Sequence, residues 1–187
     1  MEPFAILLAL AAAVLHATWN AMVKVNTDRY AAMTALAGFG ALSGPVLILL
    51  DATPAAEAWP FLLTSVLLHI GYNSFLILAY RVADLSHAYP LARGSAPLLA
   101  TAGGVLLAGD MISTTGFIGI TVVCIGIIML SLNYSIARTG WGGLGWPLAT
   151  GLMISAYTVV DGMGVRVSGA PLGYIGWLFF LDAFPLV

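Results

Sequence analysis

Hydrogen-bonding and ionisable side chains recur at helical spacing inside otherwise apolar stretches of this chain. His16 and Asn20 are four residues apart, with Trp19 between them and Lys24 continuing the same face. Ser65, His69, Tyr72, Asn73 and Tyr80 fall on one helical stripe. Tyr89 and Arg93 form another pair four apart, as do Tyr157 and Asp161, which Arg166 follows. These residue types suit reversible binding and proton exchange. A guanidinium offers a fixed positive fork for a carboxylate or phosphate. Imidazole changes charge near physiological pH, so His16, His69 and Asp161 are the candidates for a coupling proton. Trp19 and the tyrosines suit apolar or aromatic parts of a ligand.

Other chemistries lack their parts. The three histidines, His16, His69 and His87, have no close ligand spacing, so no metal site is expected. One cysteine, Cys124, excludes an intrachain disulfide. Ser95 stands in Arg93-Gly94-Ser95-Ala96-Pro97 without a nucleophile elbow. No phosphate-cradling glycine loop ending in Gly-Lys occurs. The chain is expected to be no enzyme and to need no cofactor.

The elements that must position these side chains are set by hydropathy. Charged residues are 7% of the chain and hydrophobic ones 61%, with mean hydropathy +1.02. A soluble domain carries roughly 25% charged residues, so this chain cannot cover a water-facing globule. A net charge of −2 leaves no footprint for nucleic acid. Charge-poor runs near the ~20 residues of a membrane span occur at about 4–24, 31–50, 60–80, 87–109, 114–133 and 146–165. A seventh starts near Leu172 and is still running at Val187, so the chain is expected to be truncated in its seventh helix. Runs this long are helices rather than barrel strands. The fold class expected is an all-α membrane protein, a multi-span helical bundle.

Pro60 and Pro147 suit first helical turns. Pro90 and Pro97 are expected to bend or break the fourth span. Gly40 with Gly44, and Gly116, Gly119 and Gly126, are expected to let helices approach closely. Lys24, Arg29, Arg81 and Arg138 follow odd-numbered spans, and only Arg166 follows an even one. That asymmetry places the N-terminus outside, with several passes through a cell (inner) membrane.

Spans one and six can be overlaid, each with a polar pair four apart followed by a basic residue. Five spans separate the copies, so the second would enter the membrane inverted. Several stretches resemble the EamA family of the drug/metabolite transporter superfamily. Leu15-His16-Ala17-Thr18-Trp19-Asn20-Ala21 looks like its first helix, and Ala83 through Gly94, with Tyr89-Pro90-Leu91-Ala92-Arg93, like its entry to the fourth. Gly116 through Gly126 is similar to the fifth. Ala156 through Arg166, then Tyr174 and Trp177, is similar to the start of a second repeat. The resemblance implies two five-helix inverted repeats: residues 1–133 as the first, 134–145 as a Gly-rich linker and 146–187 as the start of the second. It also implies transport of small metabolites or amino acids, often outward.

The expectation is a secondary transporter, an exporter working by alternating access. Its cavity would be lined by His16, Trp19, Asn20, His69, Tyr72, Asn73, Tyr89, Arg93, Tyr157 and Asp161. A small-molecule substrate, the lipid bilayer and a coupling proton would be its partners, and a homodimer stays open. The alternative is a non-transporting membrane scaffold, or an incomplete half-transporter needing a partner.

Overall fold

A computed structural model describes residues 3–25, 38, 42–82, 85–139 and 144–183. Every long element among them is helical. In chain order these are α1 (Pro3–Val25), α2 (42–50), α3 (Trp59–Val82), α4 (Leu85–Leu107), α5 (Thr114–Thr139), α6 (Gly145–Ser168) and α7 (Pro171–Ala183). A 3₁₀ turn, Ala56–Ala58, leads into α3. Two stretches, Ala56–Ala79 and Gly145–Ser168, are long and apolar enough to cross a membrane. Each has 24 residues, about 36 Å of helix at 1.5 Å per residue.

Helix α6 is the hub: α3 packs along one side of it, α4 along another, and α5 continues the layer beyond α4. Phe75 meets Trp146, and Val165 packs at the cluster holding Leu62, so α3 runs antiparallel to α6. Ser95 lies at Gly151, Val159 at Gly103 and Arg166 at Asp110, so α4 runs parallel to it. The α4–α6 crossing is close because Gly151 has no side chain. A methyl group there would stand 2.8 Å from the carbonyl oxygen of Ala92 and would also strike Ser95.

Helix α7 docks where α2, α3 and α6 meet. Ala58, Leu62, Tyr174 and Leu178 are buried together, with Val66, Val165, Trp177 and Leu181 packed around them. Trp59 meets Trp177 edge-on at 5.2 Å between ring centroids. Gly44 of α2 faces Gly176 of α7. A methyl on Gly44 would sit 2.8 Å from the Gly176 carbonyl oxygen and 2.9 Å from the Phe180 nitrogen. Small residues thus set backbone-to-backbone packing here.

One end of the bundle is tied by polar contacts. Asp51 Oδ2 accepts from the amides of Leu172 at 2.9 Å and Gly173 at 3.1 Å, capping α7 from more than a hundred residues away in sequence. Its Oδ1 accepts from the Ala52 amide at 2.8 Å. The Ala55 amide donates to the Ser168 carbonyl at 2.9 Å, and Arg166 pairs with Asp110 at 2.7 Å. Arg166, the basic residue that ran against the loop-charge pattern, therefore has a local counter-charge.

Several expectations are corrected. Helix α4 passes through both Pro90 and Pro97 without a break, since each removes one ladder bond and its neighbours hold the rest. Helix α5 continues to Thr139, into the expected linker, because 134–139 still holds helix formers. Among the described residues, nothing lies within 4 Å of a side chain built on Gly119 or Gly126. Gly44 makes the close approach expected of it, and Gly151 makes a further one. Gly40 lies outside the described residues.

Replacing Gly44 with Val should loosen the α2–α7 contact and cost about 1–3 kcal/mol. It would be read as a lower unfolding midpoint of the protein in detergent, with Leu42→Val as a control. The amide donors hold the Asp51 carboxyl below the ordinary aspartate range, Gly173 contributing most. A depressed folded-state pKa stabilises above the unfolded value and ceases to as pH falls through the folded one. Asp51→Ala should therefore speed amide exchange at Leu172 and Gly173 at neutral pH. The difference between variant and parent should vanish in strong acid.

Candidate functional site

The antiparallel register of α3 and α6 stacks their polar stripes on each other. His69 lies against Tyr157 with ring centroids 4.1 Å apart and planes inclined by 21°. Tyr72, one turn along α3, meets Tyr157 edge-on at 6.0 Å. From α4, the Arg93 guanidinium sits 5.5 Å from the centroid of the Tyr89 ring. It is also within electrostatic reach of Tyr72 and Tyr157. Leu91, Ala92, Gly94, Ser95 and Ala96 are buried around Arg93, whereas Arg93 itself is exposed. A cation ringed by tyrosines, with no carboxylate described beside it, is poised for an anion.

One turn further along α6, Asp161 enters a second set of contacts. Tyr174 of α7 donates its hydroxyl to Asp161 Oδ1 at 3.1 Å. Tyr174 is fully buried and fits over Gly164, where a methyl would lie 2.7 Å from its ring carbons. The Ser65 hydroxyl is within hydrogen-bonding reach of Asp161, and His69 lies within its electrostatic reach. His69 Nδ1 is 2.9 Å from the carbonyl oxygen of Ser65. A carbonyl only accepts, so Nδ1–H is the donor in this contact. With Nδ1–H so engaged, the Ser65 hydroxyl is left to donate to Asp161.

Of the ten residues expected to line a site, six come together: His69, Tyr72, Tyr89, Arg93, Tyr157 and Asp161. Asn73 is half-buried on α3, and no contact ties it to them. His16, Trp19 and Asn20 occupy α1, and their side chains lie outside the described residues. Asp161 lies with a tyrosine, a serine and a histidine. Arg166 lies five residues on and is engaged by Asp110.

The sequence reading missed Ser65, Tyr174 and Asp182 as site members. Asp182 lies eight residues beyond Tyr174, two turns along the same face of α7. It is in electrostatic contact with His69 and Asp161, and its Oδ1 is buried without a hydrogen-bond partner among the described residues. The signal was available: an aspartate inside an apolar run is costly in a membrane. No group of three or more His, Cys, Asp or Glu able to hold a metal is found among the described residues.

Comparison of the chain with protein-family models, with curated proteins and with solved structures gives no match.

Tyr174→Phe removes one donor from Asp161 and keeps the ring over Gly164. Stability should fall by about 1 kcal/mol. Gly164→Leu should be worse, because the ring has nowhere to go. Thermal unfolding of both variants in the same detergent checks the order.

Proposed function

We propose that this protein is a multi-pass membrane carrier, a secondary transporter that moves a small metabolite or amino acid by alternating access. The observation that carries this reading is the Arg93 cluster. A cation and aromatic hydroxyls from α3, α4 and α6 converge, with no carboxylate among the described residues placed to neutralise the guanidinium. An uncompensated ionisable group among apolar helices costs at least about 2.5 kcal/mol on insertion scales. A ligand bearing an anionic group supplies the missing charge, and the tyrosines and His69 offer flat faces to the rest of it.

The membrane setting rests on surface chemistry. Large apolar side chains face outward along most helices, among them Phe4, Leu49, Leu106, Phe117 and Val122. A contiguous apolar exterior of this kind suits lipid. Asp51, Glu57 and Asp110 gather at the end where α7 begins, whereas Arg81 lies at the opposite end of α3. Positive charge toward the cytoplasm puts the N-terminus outside. The cluster also joins the two stretches 1–133 and 146–187. That supports the EamA-like arrangement of inverted repeats with the ligand between them, and outward movement across a cell membrane.

Reconstituted into liposomes and screened with labelled carboxylate and amino-acid metabolites, the protein should move at least one of them. Arg93→Ala should lower that flux about tenfold or more, a loss of about 1.4 kcal/mol or more, at equal protein abundance. Arg93→Lys should retain part of it, since it keeps the charge without the fork. Unchanged flux in Arg93→Ala would remove the reading. Loss of abundance in both variants, with no flux from the parent, would favour a non-transporting scaffold.

A further inference from the structure

Beyond the Arg93 cluster, the molecule holds a second set of ionisable groups that anion binding does not use. Of the chain's eight carboxylates, only Asp161 and Asp182 are described inside a long helix. They interact electrostatically with each other and with His69. No lysine or arginine is described pairing with either. Tyr174 and Ser65 supply donors to Asp161, whereas Asp182 Oδ1 is buried with no donor among the described residues. Buried acceptors are almost always paired, so an orphaned carboxylate oxygen within electrostatic reach of a second carboxylate has an obvious occupant in a hydrogen ion. His69, held through Nδ1 by the Ser65 carbonyl, lies within electrostatic reach of both carboxylates.

We propose that Asp161, Asp182 and His69 form a proton-loading site in which the two carboxyls share one exchangeable proton. The idea rests on the transporter reading for its purpose, because loading and unloading this proton would couple solute movement to a pH gradient. The step is simple acid–base chemistry. An O–H bond forms on a carboxyl oxygen as hydronium gives up its proton, and breaks as water takes it back, with no electrons exchanged. The groups facing the pair are His69 and Tyr72 from α3, Tyr157 on α6 and Tyr174 on α7, with Tyr89 and Arg93 of α4 lying beyond Tyr72 and Tyr157. Glu57 on the 3₁₀ turn is exposed. Tyr157 lies within electrostatic reach of Arg93 on one side and of Asp161 and Asp182 on the other. Proton occupancy is thereby felt at the anion site.

The test is an infrared pH titration of the full chain in lipid bilayers, following the carbonyl stretch of protonated carboxyl groups. The parent should show such a band at neutral pH, shifting on transfer to heavy water. Asp161→Asn and Asp182→Asn should each reduce it by about half or more. Should either variant fail to fold, Tyr174→Phe decides, because loss of one hydroxyl bound to Asp161 should move the midpoint by about half a pH unit or more. Absence of the band in the parent, or a band unaltered in all the variants that fold, would overturn the proposal. The readout needs no solute. A titrating band without flux removes only the transport reading, and flux without the band removes only the proton site.

Discussion

The approach of α4 to α6 at Gly151 is the constraint on which the described structure turns. At that crossing the Ala92 carbonyl and the Ser95 side chain occupy the space a larger residue would need. Helix α4 can therefore lie flat along α6, which brings Arg93 toward Tyr157. The opposite side of α6 receives α3 in antiparallel register, fixed at its ends by Phe75 on Trp146 and by Leu62 near Val165. With both neighbours seated, polar side chains of three helices gather around Tyr157. Close backbone contact at small residues is a recognised source of helix adhesion where no hydrophobic effect drives packing.

Helix positions were legible because hydropathy and helical period are local properties. The runs at 60–80, 87–109 and 146–165 correspond closely to α3, α4 and α6. The stripes on those helices were legible for the same reason, and His69, Tyr72, Arg93, Tyr157 and Asp161 could be named before any neighbour was known. What could not be read was pairing between distant segments. Nothing around Asp51 marks it as the cap of a helix starting at Pro171, since the link is purely spatial. Glycine patterns misled in part: Gly119 and Gly126 carry the small-residue signature but meet nothing among the described residues, whereas Gly151, which was not singled out, makes a close crossing with α4. Asp182 was passed over because the run around it was weighed for length rather than for its one charge.

The two polar groupings differ in kind. Around Arg93 the protein offers a positive charge and aromatic faces, accessible at its surface. Around Asp161 it offers carboxylates, a serine, a buried tyrosine and an imidazole. Tyr157 belongs to both, stacked on His69 and within reach of Arg93. A single ring thus links a region suited to an anion with a region suited to a hydrogen ion. The second region depends on α7, which Asp51 anchors at one end and Gly176 presses against α2.

The prolines of α4 carry a consequence for how that helix can move. Pro97 has no amide hydrogen, so the carbonyl of Arg93, four residues earlier, lacks the donor that the helical ladder would ordinarily give it. Pro90 does the same to the carbonyl of Ser86. The rod bearing the guanidinium is therefore softened one turn on either side of that residue, while its buried neighbours hold it in place. Flexing at such a joint would swing the positive head through a wide arc at little elastic cost.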